Sequence, residues 1–355
     1  MRQNRSVLWL SVWLVTNSFG PALAQDLKSS NPEFRMTPSG EEYRKRLFEK
    51  TLNQPSCLIL TKGLSSNRLN DVPEVSAIIQ NLTEVFDSKD ATKLKNLFHP
   101  RLKMSGSRAA QLLSEVESSY GDKGKINLSL FRVYALNTVS GEPANIDCPE
   151  DKLSLGTHYG FPVQFGAWFQ LIGRRELGRL YITLVPGEKS WHVSAWHLQQ
   201  WTHATRDAEA WVTDALNDSS KNLKPSAYAK LDIAYKLLDG GKFVYLQLRS
   251  DIKATRDSIL PGEGAWLNVI KQALPQEPLT YAGTYLAPNG AGVLIRLAID
   301  KEPNLESKQK ACNDLSARIL SSPWAKPLAG VHCDFAQRGA PANLRGAYGG
   351  ISVNR

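Results

Sequence analysis

The stretch Lys189–His203, "KSWHVSAWHLQQWTH", carries three tryptophans and three histidines in fifteen residues. Imidazole at that density fits two chemistries, a metal site or a general base, and spacing separates them. Two histidine ligands of one zinc ion must both reach it at about 2 Å. On a strand, successive side chains point to opposite faces, so His192 and His197 diverge, while His197 and His203 share a face about 20 Å apart. On a helix, spacings of five and six residues put neighbouring histidines off one face. No metal site follows from either geometry, and no cofactor is expected.

A general base needs a partner within hydrogen-bond reach. His197 is the first candidate, with Tyr181 of "GRLYITLV" placed near the same cavity and Gln199 as a polar contact; His158, at the start of a long strand, is the second. Trp168 and Trp196 are the aromatic contacts. The strands carry no acid to pair with either histidine, and Asp147, Glu150 and Asp151 read as a solvated loop beside Cys148. These residues therefore support two readings. One is a pocket in which a histidine base serves a lyase, isomerase or hydrolase; the other is a non-catalytic contact surface built from Trp196, Gln199, His158 and Trp168.

The elements that must position them can be read from periodicity. Val75, Ile78, Ile79, Leu82 and Phe86 recur at helical spacing, with Asp71 or Pro73 near the start. Asp90 caps a short helix bearing Leu94, Leu97 and Phe98, which ends at His99-Pro100. "RLKM" is expected to be a short strand, and a third helix carries Ala109, Leu112, Leu113, Val116 and Tyr120. After Gly121 the period becomes two. "INLSLFRVYALN", "HYGFPVQFGAWFQLIG", "GRLYITLVP" and the tryptophan-rich stretch are strands, the last two joined at Pro186-Gly187. In the last strand Trp191, Val193 and Ala195 form the core face, continued by His197 and Gln199. Trp196 and Leu198 fall on the opposite face, which later helices or a partner chain must cover.

Three helices, a short strand among them, then long antiparallel strands ending in a "W-x-V" pattern at Trp191 and Val193: over residues 72–204 this order resembles the NTF2-like family. The resemblance implies an α+β fold in which a curved sheet wraps a long helix. It also implies a pocket at the open end, used for catalysis in some members and for binding or dimerisation in many. Fold alone does not choose between these uses.

Residues 25–71 are polar and punctuated by Pro32, Pro38 and Pro55, and read as an extension with one charged helix in "SGEEYRKRLFEKTLN". Residues 205–262 are helical, with a break at Gly240-Gly241 and a boundary at Pro261-Gly262. A small α+β domain over 263–340 follows. It has a helix near Trp266–Leu274, a hairpin turning at Asn289-Gly290, a helix from Leu305 to Leu320 and a returning strand in "GVHCDFAQ". Residues 341–355, rich in Gly, Ala and Asn, read as a loose tail.

The first 24 residues set the compartment. Arg2 and Arg5 precede an apolar run from Val7 to Val15, and Ala22-Leu23-Ala24 precedes Gln25, the pattern of a cleaved secretory signal. Cleavage removes two arginines and no acids, lowering the formal charge of +9 by two. Export places Cys57, Cys148, Cys312 and Cys333 in an oxidising compartment, where three pairings are possible. Cys57–Cys148 with Cys312–Cys333 is favoured because each pair then lies within one proposed domain. The basic balance suits an anionic surface. Its residues are dispersed without a basic run, which argues against nucleic acid. G-x-S-x-G, Walker and H-E-x-x-H motifs are missing from the sequence.

The expectation is an exported, periplasmic or secreted α+β protein, a non-catalytic binding or assembly protein of the cell envelope. Its partner would be an envelope protein or a small-molecule ligand, with a homodimer through the sheet face as a further option. The alternatives are the histidine-base enzyme and a binder of envelope polyanions.

Overall fold

The computed structural model describes residues 38–62, 72–121, 125–139, 141–158, 160–173, 176–188, 190–262, 264–339 and 348–354. The expected signal peptide lies outside them. The chain is α+β and divides into two compact units. One comprises Met1–Leu171, Arg179–Leu198 and Gly240–Tyr245; the other comprises Ile172–Gly178, Gln199–Asp239 and Leu246–Arg355. Among the described residues no helix is long and apolar enough to cross a membrane.

In the first unit the helices are α1 (Pro38–Leu47), α2 (Pro73–Ser88), α3 (Ala91–Leu97) and α4 (Gly106–Tyr120). The helical periods hold: α2 buries Val75, Ile78, Ile79, Leu82, Val85 and Phe86, and α4 buries Ala109, Leu112, Leu113, Val116 and Tyr120. Asp90 caps α3 by accepting the Thr92 and Lys93 amides at 2.9 and 3.0 Å, satisfying two of the orphan donors of its first turn.

These helices pack on a five-stranded sheet of β1 (Ser56–Lys62), β2 (Asn127–Asn137), β5 (Val163–Ile172), β6 (Leu177–Pro186) and β7 (Trp191–Gln200), in that order. A small sheet holds β3 (Asn145–Cys148), β4 (Leu153–Gly156) and β8 (Val244–Leu246). One core gathers Phe165, Ala167, Phe169, Leu180, Ile182, Leu184, Trp191 and Val193 with the buried faces of α2 and α4.

Three expectations need correction here. Residues 25–71 are not merely an extension, because β1 pairs antiparallel with β2, and Tyr43, Phe48 and Leu60 belong to the core. The polar, proline-rich surroundings mask the apolar run "CLIL". "RLKM" is no strand: Pro100–Leu102 is a 3-10 turn, and the bridge in this region is instead Phe98 beside Val193. The long strand begins at Val163, after Pro162.

The second unit contains α5 (Ala208–Ser220), α6 (Lys224–Leu237), α7 (Gln247–Ile259), α8 (Ala265–Ala273) and α9 (Leu305–Leu320). Its sheet runs β12 (Gly350–Asn354), β11 (Gly330–Gln337), β10 (Gly290–Ile299), β9 (Leu279–Ala287). β10 and β11 are parallel and joined through α9, as a parallel pair requires a crossover. Val293, Ile295, Leu297, Val331, Cys333 and Phe335 point to one face and share a core with α6 and α9 residues such as Leu231, Ala234, Leu315 and Ile319. In the hairpin Ala287 already pairs with Gly290, so the two-residue turn is Pro288-Asn289, one position earlier than expected. Pro261-Gly262 is internal to this unit. The tail is not uniformly loose, since Gly350–Asn354 forms the edge strand β12 on β11.

Asp232 on α6 anchors this layer. It is paired with Lys236 at 2.9 Å and Arg256 at 2.5 Å, and it accepts the Thr284 hydroxyl from β9. Burial alone would raise its carboxyl, but the cationic and hydrogen-bonding partners prevail and hold it below the usual value.

Both favoured disulfides are present, Cys57–Cys148 joining β1 to β3 and Cys312–Cys333 joining α9 to β11. They close sequence separations of 91 and 21 residues. On chain entropy these correspond to about 4–5 and about 3 kcal/mol. Denaturant titration of Cys57→Ser/Cys148→Ser and Cys312→Ser/Cys333→Ser is expected to show both variants destabilised, the first more; equal or reversed losses would contradict that ordering.

Candidate functional site

The histidine- and tryptophan-rich stretch forms β7, and one extra residue governs it. Gly187 bonds Ser190 at the hairpin end, and Trp201 and Thr202 both donate to the Leu177 carbonyl at the far end, so the ten residues of β6 oppose the eleven from Trp191 to Trp201. That is the count of a β-bulge, which breaks the alternation of faces. Trp191 packs edge-on to Phe165 at 4.8 Å. Trp196, expected on the opposite face, instead packs on Phe86 and Phe98 at 5.8 and 6.2 Å, and Leu198 joins the same core. The expected apolar second face around Trp196 is thus corrected: both residues seal the core.

The three histidines of the stretch separate into three environments. His197 stands against Gly241, where a Cβ would come within 2.9 Å of its Nδ1. Buried His203, in the second unit, places Nε2 3.0 Å from the Gly290 carbonyl oxygen and stacks on Trp211. His192 meets Ser190 Oγ at 3.1 Å and packs edge-on to His99 at 5.6 Å.

Tyr181 and His197 do not form an acid–base pair. The Tyr181 hydroxyl is directed onto Gly166 of β5, on the side of β6 away from β7. It is fully buried, and burial raises its pKa far above the ordinary value despite a partly offsetting Thr183 contribution. Trp168 is 3% exposed and boxed by Tyr181, Tyr134 and Phe131, so it presents no free contact face. Gln199, assigned to the second unit, is buried and donates to the Leu237 carbonyl.

His158 lies against Phe243 with ring centroids 5.1 Å apart, and its Nε2 is buried without a hydrogen-bond partner. The neighbouring backbone is held by buried Gln164, which accepts the His158 amide and donates to the His158 and Phe161 carbonyls. Burial first, and the His99 charge second, lowers the pKa of His158 to about 4. His99 is also lowered to about 4, by burial, then His192, then Arg101. These are neutral structural imidazoles at neutral pH. Among the described residues no three His, Cys, Asp or Glu side chains form a group able to hold a metal ion.

The second unit carries what the sequence reading missed. A groove of about 620 Å³ is lined by Tyr228, Asp257, Leu260, Trp266, Thr280 and Tyr281, among others. Trp266 stacks on Tyr228 at 5.2 Å, meets Trp324 edge-on at 5.9 Å and donates Nε1 to the Gly283 carbonyl at 3.0 Å. Tyr281 is 38% exposed and so offers a ring to solvent at the rim. Arg256 covers Tyr228 and Tyr235 while bonding Asp232 and Asp257. Burial first, and Asp232 second, raises the pKa of Tyr228 and Tyr281, so these two remain hydroxyl donors. Hydrogen bonding from Lys253, with Arg256 contributing, holds Asp257 ionised. The groove therefore offers fixed aromatic walls, phenol donors and one acceptor carboxylate.

On the sheet face opposite that unit's core, a polar chain crosses three strands. Ser352 Oγ lies 2.7 Å from His332 Nδ1, and His332 Nε2 lies 3.0 Å from Asp334 Oδ1. Arg296 reaches Asp334 Oδ2 at 3.3 Å beneath the ring of Tyr281. A signal for part of this array was present. In "GVHCDF" the buried Cys333 turns His332 and Asp334 to the other face, whereas Ser352 sat in a stretch read as loose. Tyr228, Trp266 and Tyr281 come from three separate elements, and no local pattern joins them.

The lowered histidines make stability depend on pH. The unfolded chain takes up protons near pH 6.5 and the folded one near pH 4, so stability is complete above about 6.5 and falls as pH drops toward 4. The thermal midpoint is expected to decline between pH 7 and pH 4.5, and His158→Gln is expected to flatten that decline. An equally steep decline in the variant would remove His158 from the account.

Compared with family models, with curated proteins and with solved structures, the chain has no match in any of the three.

Proposed function

We propose that this is an exported binding or assembly protein of the cell envelope, with a first unit of NTF2-like type and a ligand groove in the second. The observation that carries the binding reading is the groove between Tyr228, Trp266 and Tyr281. Its volume falls in the range of small-molecule sites, about 300–1,000 Å³. Among the described residues its titratable lining groups are an ionised carboxylate and two protonated phenols, a set that suits hydrogen bonding and stacking more than proton transfer. The ligand that fits such walls is a ring-bearing molecule with hydroxyl or amine donors for Asp257.

The NTF2-like reading of the first unit rests on its helices preceding most of a predominantly antiparallel sheet. Export is supported by two disulfides in a chain whose first residues read as a secretory leader. The enzyme reading around His197 loses its support, because the Tyr181 hydroxyl turns away from that strand and the space beneath the sheet is filled by Trp191, Phe165 and Tyr43.

Co-sedimentation of the purified mature protein with envelope fragments tests the binding reading. Tyr281→Ala and Leu260→Glu are each expected to weaken retention by about tenfold or more, the effect of removing an interface anchor. Unchanged retention in both would overturn it. Protein recovered from the periplasm is expected to begin at Gln25.

A further inference from the structure

We infer that Ser352, His332 and Asp334 form a nucleophilic acyl-transfer site, acting on carboxylic esters and separate from the ligand groove. Three residue types in the order nucleophile, base and orienter are linked at 2.7 and 3.0 Å. Such a chain is the arrangement by which a weak hydroxyl becomes a nucleophile. Protonation states follow from the bonds. An ionised carboxylate only accepts, so His332 carries its hydrogen on Nε2 and leaves Nδ1 to accept the Ser352 proton. Asp334 remains ionised: burial pushes its pKa up, but His332 and Arg296 outweigh that and lower it.

The surroundings are built for this pair. Gly350 lies directly over it, and a Cβ there would fall 2.4 Å from His332 Nε2 and 2.6 Å from Asp334 Oδ1. Any other residue at 350 would push the base off its orienter. Ser352 is exposed, on the edge strand β12. Phe335 bonds Gly349, which fixes the phase of the β11–β12 ladder. Bonded and unbonded pairs alternate from there, so His332 and Ser352 are an unbonded pair and the Ser352 amide points away from the sheet. Two residues on, along the same face, the Asn354 amide oxygen accepts the Tyr285 hydroxyl at 3.0 Å, which leaves its NH₂ to donate. The Ser352 amide and the Asn354 side chain are the two donors for an oxyanion.

The reaction balances with water alone. Ser352 Oγ attacks the ester carbonyl carbon as its proton passes to His332. The tetrahedral intermediate collapses, the carbon–alkoxy bond breaks, and the alcohol leaves with that proton. Water, deprotonated by His332, then attacks the acyl-serine and releases the carboxylic acid with Ser352 restored. An exposed edge strand suits an ester presented on a larger carrier.

The full mature protein should be treated with a fluorophosphonate probe and, separately, with p-nitrophenyl acetate. Labelling is expected on Ser352 by peptide mass spectrometry, with an initial burst of p-nitrophenol. Ser352→Ala is expected to abolish both, His332→Gln to slow acylation at least a hundredfold, and Asn354→Ala to slow it about a hundredfold. Labelling reads this site and envelope retention reads the groove, so failure of the groove reading and failure of this one are distinguishable. The inference is overturned if the wild type takes no label, if the label lies on another residue, or if His332→Gln labels at the wild-type rate.

Discussion

Alternation of side chains across a strand is the constraint on which both units depend, because each sheet must present one apolar face to its helices. Along β11 of the second unit the alternation is unbroken. Val331, Cys333 and Phe335 go to the core, and His332 and Asp334 are therefore forced to the other face, where they are held by one another, Ser352 and Arg296. In the first unit the register shifts in β1 between Ile59 and Thr61, and an interruption along β7 is what lets Trp191 and Trp196 serve the same core. Without the extra residue, Trp196 would leave Phe86 and Phe98 and expose a large aromatic surface.

The two units solve the cost of buried polar groups differently. The first keeps its buried imidazoles neutral, which removes the charge instead of compensating it. The second keeps charges and pairs them: Asp232 with Lys236 and Arg256, Asp218 with Lys230 at 2.7 Å, Asp334 with Arg296. Breaking one member of such a group leaves the other charge uncompensated in a low-dielectric setting, which is the expensive case. This is why Arg256 can fix so much of the groove wall. Its guanidinium spans two aromatic rings and two carboxylates, and so sets Tyr228 relative to Asp257.

Local periodicity made the helices legible. α2 and α4 bury every residue of the apolar spacing, α2 adding Val85, and the Asp90 cap was visible as a residue type before a helical run. The disulfide pairing was legible in part, because proximity within a proposed domain favoured the pairs that form. What escaped was set by tertiary pairing. A single inserted residue in β7 has no local signature, and β1 looks like linker until β2 is placed beside it. The groove is invisible for the same reason, since Tyr228, Trp266 and Tyr281 meet only when α6, α8 and β9 pack.

The histidine-rich stretch attracted attention through composition, yet the chemistry of a histidine is decided by what its two nitrogens face. His203 is committed to the Gly290 carbonyl, His192 to Ser190, and His99 accepts the Arg101 amide on Nδ1 at 3.3 Å. An imidazole spent on backbone and turn contacts has no lone pair free for a substrate proton. His332 differs because one nitrogen faces a carboxylate that can only accept and the other a hydroxyl that can donate. Density of histidine thus marks a strand that uses imidazole as a packing and turn-bonding group, whereas a single histidine between an acid and an alcohol retains a direction for proton transfer.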